Sequence, residues 1–341
     1  MLTVGTYTRR GSEGIYRVDF DDASGQLSLV GLLAPLRNPS FQALHPGGKR
    51  LYSVCEEAAA GAVASVNLMG GVGEIVNTEA TVGRGPCHVA VDPTGQYVVS
   101  ACYGSGAVVV HPVARDGSLM PASDLQQHAG TGPNAKRQEG PHAHSVNFDP
   151  SGRFVIAADL GTDRLMVYAL CPQDGQLTCH QEVVVAPGSG PRHFTFHPNG
   201  RWAYLITELA NTVVAYRWDG EQLTELQTLA TLPADFSGTS FCADIHVHPN
   251  GRFLYGTNRG HDSLAIFAVD RATGLLEARG HVATGGDHPR NFAVSPEGNW
   301  LLCANQDSDN IVVFRLADDG ARLERVSEFT AIAAPVCLLF M

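Results

Sequence analysis

Short apolar runs, each closed by a turn signal, follow one another along the whole chain, and no stretch of useful length carries a helical apolar period. An apolar run, then Pro-x-Gly, then a second apolar run occurs six times. The six read LHPGGKRLYSV from Leu44, VDPTGQYVVSA from Val91, FDPSGRFVIAA from Phe148, FHPNGRWAYLI from Phe196, VHPNGRFLYGT from Val247 and VSPEGNWLLCA from Val294. Their prolines stand at 46, 93, 150, 198, 249 and 296, a period of about 50 residues. Behind Pro150, strands are expected over 153–159, 164–169 and 177–185, and the run ending at Phe148 supplies the strand before the turn. Four antiparallel strands per repeat, joined by Pro, Gly and Asp turns, are the signature of a β-propeller blade.

The two ends supply one more blade. The head offers three strands, over 2–7, 14–20 and 26–33, with none before them. The tail offers one orphan strand over 335–340, resembling the run that opens the next repeat at Pro39. One tail strand and three head strands complete a seventh blade and cover edges that would otherwise stay unpaired. The expected architecture is therefore all-β: a single seven-bladed propeller domain over 1–341, closed by its C-terminal strand.

Strands are lettered A to D from the central channel outward. The Pro-x-Gly turn joins A to B, so antiparallel order places the B–C loops and the D-to-A crossovers together on the opposite face. Polar residues concentrate there. The crossovers carry Gly85-Pro86-Cys87-His88, Pro141-His142-Ala143-His144, Gly190-Pro191-Arg192-His193, Asp244-Ile245-His246 and Pro289-Arg290-Asn291. The B–C loops carry Glu56-Glu57, Tyr103, Asp159, Glu208 and Asn258-Arg259-Gly260-His261. The crossover over 130–140 is about ten residues longer than its equivalents. It holds Lys136, Arg137, Gln138 and Glu139, so it reads as a lid over substrate or as a plain insertion.

Composition narrows the chemistry. The net charge of −11 argues against nucleic acid or an anionic membrane surface as partner. Lys49 and Lys136 are the only lysines, so Arg supplies nearly all the positive charge. That suits bidentate grip on phosphate or carboxylate, although a coding bias toward Arg explains it equally well. The eight cysteines form no CxxC pair and several lie in apolar runs, as expected of reduced thiols in a cytoplasmic protein. No leader or membrane-spanning run is visible. There is no GxSxG elbow, HExxH, P-loop or GxGxxG. What remains is His, Glu and Arg without an evident nucleophile, a set suited to water activation by a base and to anion binding by guanidinium groups.

At these residues the chain resembles the seven-bladed lactonase family, whose bacterial members are 6-phosphogluconolactonases of the pentose phosphate pathway and whose fungal relatives are muconate lactonising cycloisomerases. The resemblance spans essentially the whole chain from Val4-Gly5-Thr6-Tyr7-Thr8. It is carried by Lys136-Arg137-Gln138 with Pro141-His142-Ala143-His144, by Asp159-Leu160-Gly161-Thr162-Asp163-Arg164 and by Gly190-Pro191-Arg192-His193. Asn258-Arg259-Gly260-His261-Asp262-Ser263 and Pro289-Arg290 complete it, while Asn291 departs from the family pattern. The resemblance implies a lactone hydrolase with His144, Glu208, Arg192 and Arg259 as catalytic residues. Arg290, His193, Asp244, His246, Arg137 and His261 are expected to bind substrate.

His144 or Glu208 would take a proton from water; a Glu beside Arg stays ionised whereas His titrates near neutrality, which favours His144. Asp159 and Asp163 read as loop braces, and His45, His197 and His248, each before a Pro on the other face, as structural. No cofactor and no metal is expected; Glu56, Asn211 and Asn258 are candidates for a channel Ca²⁺ in a minor variant of this reading. The substrate would be a small anionic lactone, on a monomer or dimer. A muconolactone-type or other sugar lactonase and a non-enzymatic interaction propeller are the competing readings.

Overall fold

A computed structural model of the protein describes residues 1–69 and 73–341. Its strands form seven four-stranded antiparallel sheets. Blade one takes strand A from Pro335–Phe340 and strands B, C and D from Leu2–Thr6, Ile15–Asp21 and Gln26–Ala34. The tail strand thus pairs with the head strand, as the unpartnered runs at the two termini required. In the other six blades, strand A is Gln42–Leu44, Pro86–Val91, Ala143–Phe148, Pro191–Phe196, Phe241–Val247 and Pro289–Val294. The matching B strands are Arg50–Cys55, Tyr97–Cys102, Phe154–Asp159, Trp202–Thr207, Phe253–Arg259 and Trp300–Asn305. Blade two opens later than the run at Pro39 predicts. Asn38 adopts a left-handed φ of 43°, and the Ser40 N–H donates to its carbonyl at 2.7 Å, so 38–40 form a turn.

The chain divides into two compact units. One comprises residues 1–12, 16–31 and 193–340 and holds blades one, five, six and seven; the other comprises 13–15, 32–192 and 341 and holds blades two, three and four. In both, the core lies between consecutive blades. Tyr204, Ile206, Leu254 and Phe267 fill the space between blades five and six, and Val99, Val108, Val146 and Val155 that between three and four. This is why strands B read as unbroken apolar runs, buried on both faces, while the D strands alternate, as in Leu177–Val184 with only Leu177 fully buried.

The Pro-x-Gly turns share one construction. The residue before Pro accepts from the Gly N–H, as Asp149 does from Gly152 at 2.9 Å, and each of these glycines is left-handed, Gly152 at φ 74° and Gly251 at 70°. The side chain before Pro braces the same turn. Asp149 Oδ1 accepts from the Phe154 N–H at 2.8 Å, and His197 and His248 accept through Nδ1 from the N–H of Asn199 and Asn250. His45 does so for Gly47, so all three histidines are structural.

In blades three, five, six and seven the first residue of strand B packs against the next blade. Trp300 packs on Gly25, edge-on to Phe20 at 5.8 Å, and its Nε1 donates to the Asp22 carbonyl at 3.0 Å. Trp202 covers Gly274, Phe253 covers Gly320 and Tyr97 covers Gly175 in the same way. Replacing Trp300, 2% exposed, with Ala should lower unfolding free energy by about 3–5 kcal/mol in a denaturant titration, with the slope unchanged.

Candidate functional site

The functional side chains begin with a fault in the ladder. Where strand A starts, the pairing with strand B slips by one residue: between Pro86 and His88, between Ala143 and Ser145, and between Pro289 and Asn291. The residues left over are Cys87, His144 and Arg290. A bulge turns its extra residue out of the alternation that would send it into the core between blades. Arg192 holds the same place in its blade, after Pro191.

In the unit holding blades two to four, His144 is buried. Its Nδ1 lies 3.9 Å from Cys87 Sγ, and the Tyr103 ring meets it edge-on at 5.5 Å. Tyr103 also stacks on His142 at 4.4 Å, accepts from His142 Nδ1 through its carbonyl at 2.9 Å, and through its hydroxyl from Arg137 at 3.4 Å. The long crossover is pinned rather than loose. Gln138, fully buried, donates from Nε2 to the Leu160 carbonyl and to Asp163 Oδ1, and its Oε1 accepts from the Asn134 N–H. Asp163 takes further bonds from the Gly188 and Gly190 N–H groups. Asp159 Oδ1 accepts from the N–H of His142, Gly161 and Thr162, and its Oδ2 lies 2.6 Å from His128 Nδ1. Both aspartates therefore brace the loops, as their spacing predicts. The crossover that carries Arg137 is thus tied to the neighbouring loop through Gln138. Arg192, 1% exposed, is among the largest fully buried side chains.

In the other unit, Glu208 follows strand B of blade five and Arg259 ends strand B of blade six. Arg259 Nη2 lies 2.9 Å from Glu208 Oε2, with both side chains buried. The same nitrogen donates to the Cys242 carbonyl at 2.7 Å, and Nε to that of Phe241 at 3.3 Å. Burial pulls the Arg259 pKa below its ordinary value and Arg290 adds to this, against the opposing pull of Glu208. Two guanidinium groups are thus close enough to repel, an arrangement that an anionic ligand relieves. Arg290 also lies over the Tyr7 ring, 5.3 Å from its centre.

Asp244 is the second focus. Its Oδ1 lies 2.7 Å from His193 Nδ1 and accepts from the Ile245 N–H; its Oδ2 lies 3.0 Å from His246 Nε2 and accepts from Asn291 Nδ2 at 2.6 Å. Burial alone would raise the Asp244 pKa, but the two histidines hold it well below the usual carboxylate range. Burial likewise works against a charged His246, and Asp244 outweighs it, raising the His246 pKa.

Asn291, the position that departs from the family pattern, is fully engaged. It donates to Asp244 and accepts from the Leu338 N–H of the tail strand at 2.7 Å. Its value was legible only from its place in the repeat, since Ser145 and His193 occupy the same position. Tyr103 and Tyr7 likewise carry no motif and are found by contact alone. His261 engages Ser263 Oγ at 2.6 Å, Phe236 and His281 rather than the Glu208–Arg259 pair.

No three His, Cys, Asp or Glu side chains among the described residues converge to hold a metal ion. No described helix is long and apolar enough to cross a membrane.

The lactonase seven-bladed β-propeller family model matches residues 1–340. A 6-phosphogluconolactonase of Bacillus subtilis is 40% identical over 342 residues, 99% of this chain and 97% of its own. A solved structure from Bacteroides fragilis, provisionally described as a 6-phosphogluconolactonase, superposes with a TM-score of 0.94 at 36% identity, covering 100% of this chain and 97% of the other. The Pseudomonas aeruginosa periplasmic gluconolactonase PpgL superposes with a TM-score of 0.93 at 34% identity, covering 99% and 98%. The chain belongs to the lactonase family of seven-bladed β-propellers.

Two measurements test this site. Replacing Arg259 with Met strands the buried Glu208 carboxylate and should lower unfolding free energy by about 3–5 kcal/mol, while Glu208→Gln in the same chain restores most of it. His246, whose pKa is raised in the folded protein, stabilises below its ordinary value of 6.5 and loses that contribution as pH rises through the folded value. The destabilisation caused by His246→Gln should therefore be larger at about pH 5.5 than at about pH 9 in parallel denaturant titrations.

Proposed function

We propose that the protein hydrolyses 6-phosphoglucono-1,5-lactone to 6-phosphogluconate. The observation that carries this is the pair of neighbouring guanidinium groups, Arg259 and Arg290, at the B–C-loop and crossover end of their blades, read with the 40% identical 6-phosphogluconolactonase. Arg259 is fixed by three acceptors and suits a stationary positive charge near a developing oxyanion, while Arg290, held by a ring face, suits a phosphate or carboxylate. Arg192 is assigned to the same anion-handling work, and Arg137 and His261 remain candidates for substrate contact.

Glu208 is occupied by Arg259, so its role is to hold that guanidinium. Proton removal is assigned to His144, turned out of the ladder by its bulge. Water adds to the lactone carbonyl as His144 takes its proton. The tetrahedral intermediate then collapses, the ring C–O bond breaks, and His144 returns the proton to the departing oxygen. Asp244 fixes the orientation of His193 and His246 in this reading. We take the chain as one propeller domain acting in the cytoplasm on a small anionic lactone.

A second reading, an unphosphorylated gluconolactone as substrate, is favoured by the likeness to PpgL. Freshly generated 6-phosphogluconolactone and gluconolactone, assayed side by side against spontaneous ring opening, separate the two. Acceleration confined to the phosphorylated lactone is expected, and equal or greater acceleration of gluconolactone would overturn the phosphate assignment. His144→Ala should cost on the order of 10²–10⁴ in kcat/KM, and unchanged turnover would remove His144 as the base.

A further inference from the structure

Among the six blades that carry a Pro-x-Gly turn, the repeat is broken at one place, and a cavity opens there. Strand B of blades three to seven begins with Tyr97, Phe154, Trp202, Phe253 and Trp300; strand B of blade two begins with Arg50. The register is unambiguous, because the Arg50 carbonyl accepts from the pre-Pro N–H of His45 as the Tyr97 carbonyl does from Asp92 and the Trp300 carbonyl from Ser295. Arg50 even keeps the aromatic's task. It packs on Gly117, as Trp300 packs on Gly25, and its Nη2 donates to the Asp116 carbonyl at 2.8 Å as Trp300 Nε1 does to Asp22.

An arginine covers less than an indole and brings a charge. The result is a cleft of about 530 Å³ lined by His45, Lys49, Arg50, Arg115 and Asp116, against about 280 Å³ for its counterpart beside Trp300. It lies at the Pro-x-Gly turns, the end of the blades opposite the B–C loops and crossovers.

Three cations and one carboxylate meet in it, in a chain whose net charge is −11 and which has two lysines in all. The Asp116 carboxylate is already turned to Ser118, accepting from its N–H at 3.0 Å and its hydroxyl at 2.7 Å. Arg50 has donors to spare: Nη1 and Nη2 are used by Lys49, Asn67 and Asp116, but Nε is buried without a partner. Nε lies against Gly117, so the donor left for a ligand is the second hydrogen of Nη2, whose one bond goes to the Asp116 carbonyl. His45 accepts through Nδ1 from the Gly47 N–H, so its neutral ring carries the proton on Nε2, a further donor.

We propose that this cleft is a second binding site, for a small phosphate-bearing metabolite. A concave site of this size with a net charge of about +2 suits a compact dianion. The strongly acidic remainder of the surface disfavours a polyanion such as nucleic acid or a lipid surface.

The test is a titration of the ¹⁵N-labelled protein with inorganic phosphate at low ionic strength, following the amides of residues 45–50 and 114–117. Saturable shifts in these amides are expected. Lys49→Ala with Arg115→Ala, both exposed side chains, should weaken the saturation about tenfold or more. Arg50→Trp, which restores the aromatic of the repeat and closes the cleft, should abolish it. Lactone hydrolysis should stay unchanged in these variants, since none touches the candidate site. The proposal falls if these amides do not shift, if sodium chloride at equal ionic strength shifts them equally, or if the variants saturate as the unmodified protein does.

Discussion

The ladder fault at the start of strand A is the constraint on which the site rests. A regular strand sends alternate side chains into the spaces between blades, where Val146, Phe194 and Phe292 belong. A histidine or arginine forced into that alternation would be buried without compensation. One extra residue per strand resolves the conflict: it stays out of the pairing, and the rest of the strand resumes its register. The slip falls at the same place in blades three, four and seven, so the chain turns a polar residue out of each of these strands while the core stays apolar. Cys87, His144 and Arg290 are three products of that one device.

The charged groups are held by a different economy. Glu208 and Arg259 are both buried, and such a pair does not by itself stabilise a fold, since desolvation offsets most of the attraction. What the pair gains is position. Arg259 is fixed by one carboxylate and two carbonyls, so its guanidinium cannot rotate to follow a ligand and presents one field direction. Asp244 works similarly: its side chain gathers two histidines, an amide and a backbone N–H. Asn291 ties that centre to the tail strand, so closure of blade one and orientation of the site are parts of one network. Charge preorganised in this way loses little to reorganisation when charge develops on a substrate.

Much of this was legible in the sequence, for a physical reason. Turns that need a left-handed residue can use few side chains, so Pro-x-Gly marks every A–B turn, and buried strands B must be apolar throughout. The fold, the closure by the tail and the role of Asp159 and Asp163 follow from such local rules. Partners do not. Nothing in the spacing pairs Glu208 with Arg259, or places Tyr103 between His142 and His144, because side-chain contacts across blades depend on packing rather than on period. The crossover over 130–140 shows the limit well. Its length suggested mobility, whereas one buried side chain, Gln138, fastens it to the neighbouring loop. Length is visible in a sequence; an amide's three bonds are not.

A repeat also makes its exceptions readable. When five blades place an aromatic ring at one position and a sixth places a guanidinium, local folding rules cannot explain the difference, because the same turn and the same neighbouring glycine are retained. The arginine fills less space and carries a charge that the surrounding carbonyls only partly satisfy. Stability alone would favour the ring, which buries more apolar area and leaves no donor stranded. The same logic applies at strand A, where Cys87, His144 and Arg290 differ from blade to blade on a shared bulge. In a molecule built by repetition, the scaffold is what the blades share, and binding chemistry is sought where one blade gives up a stabilising residue that the others keep.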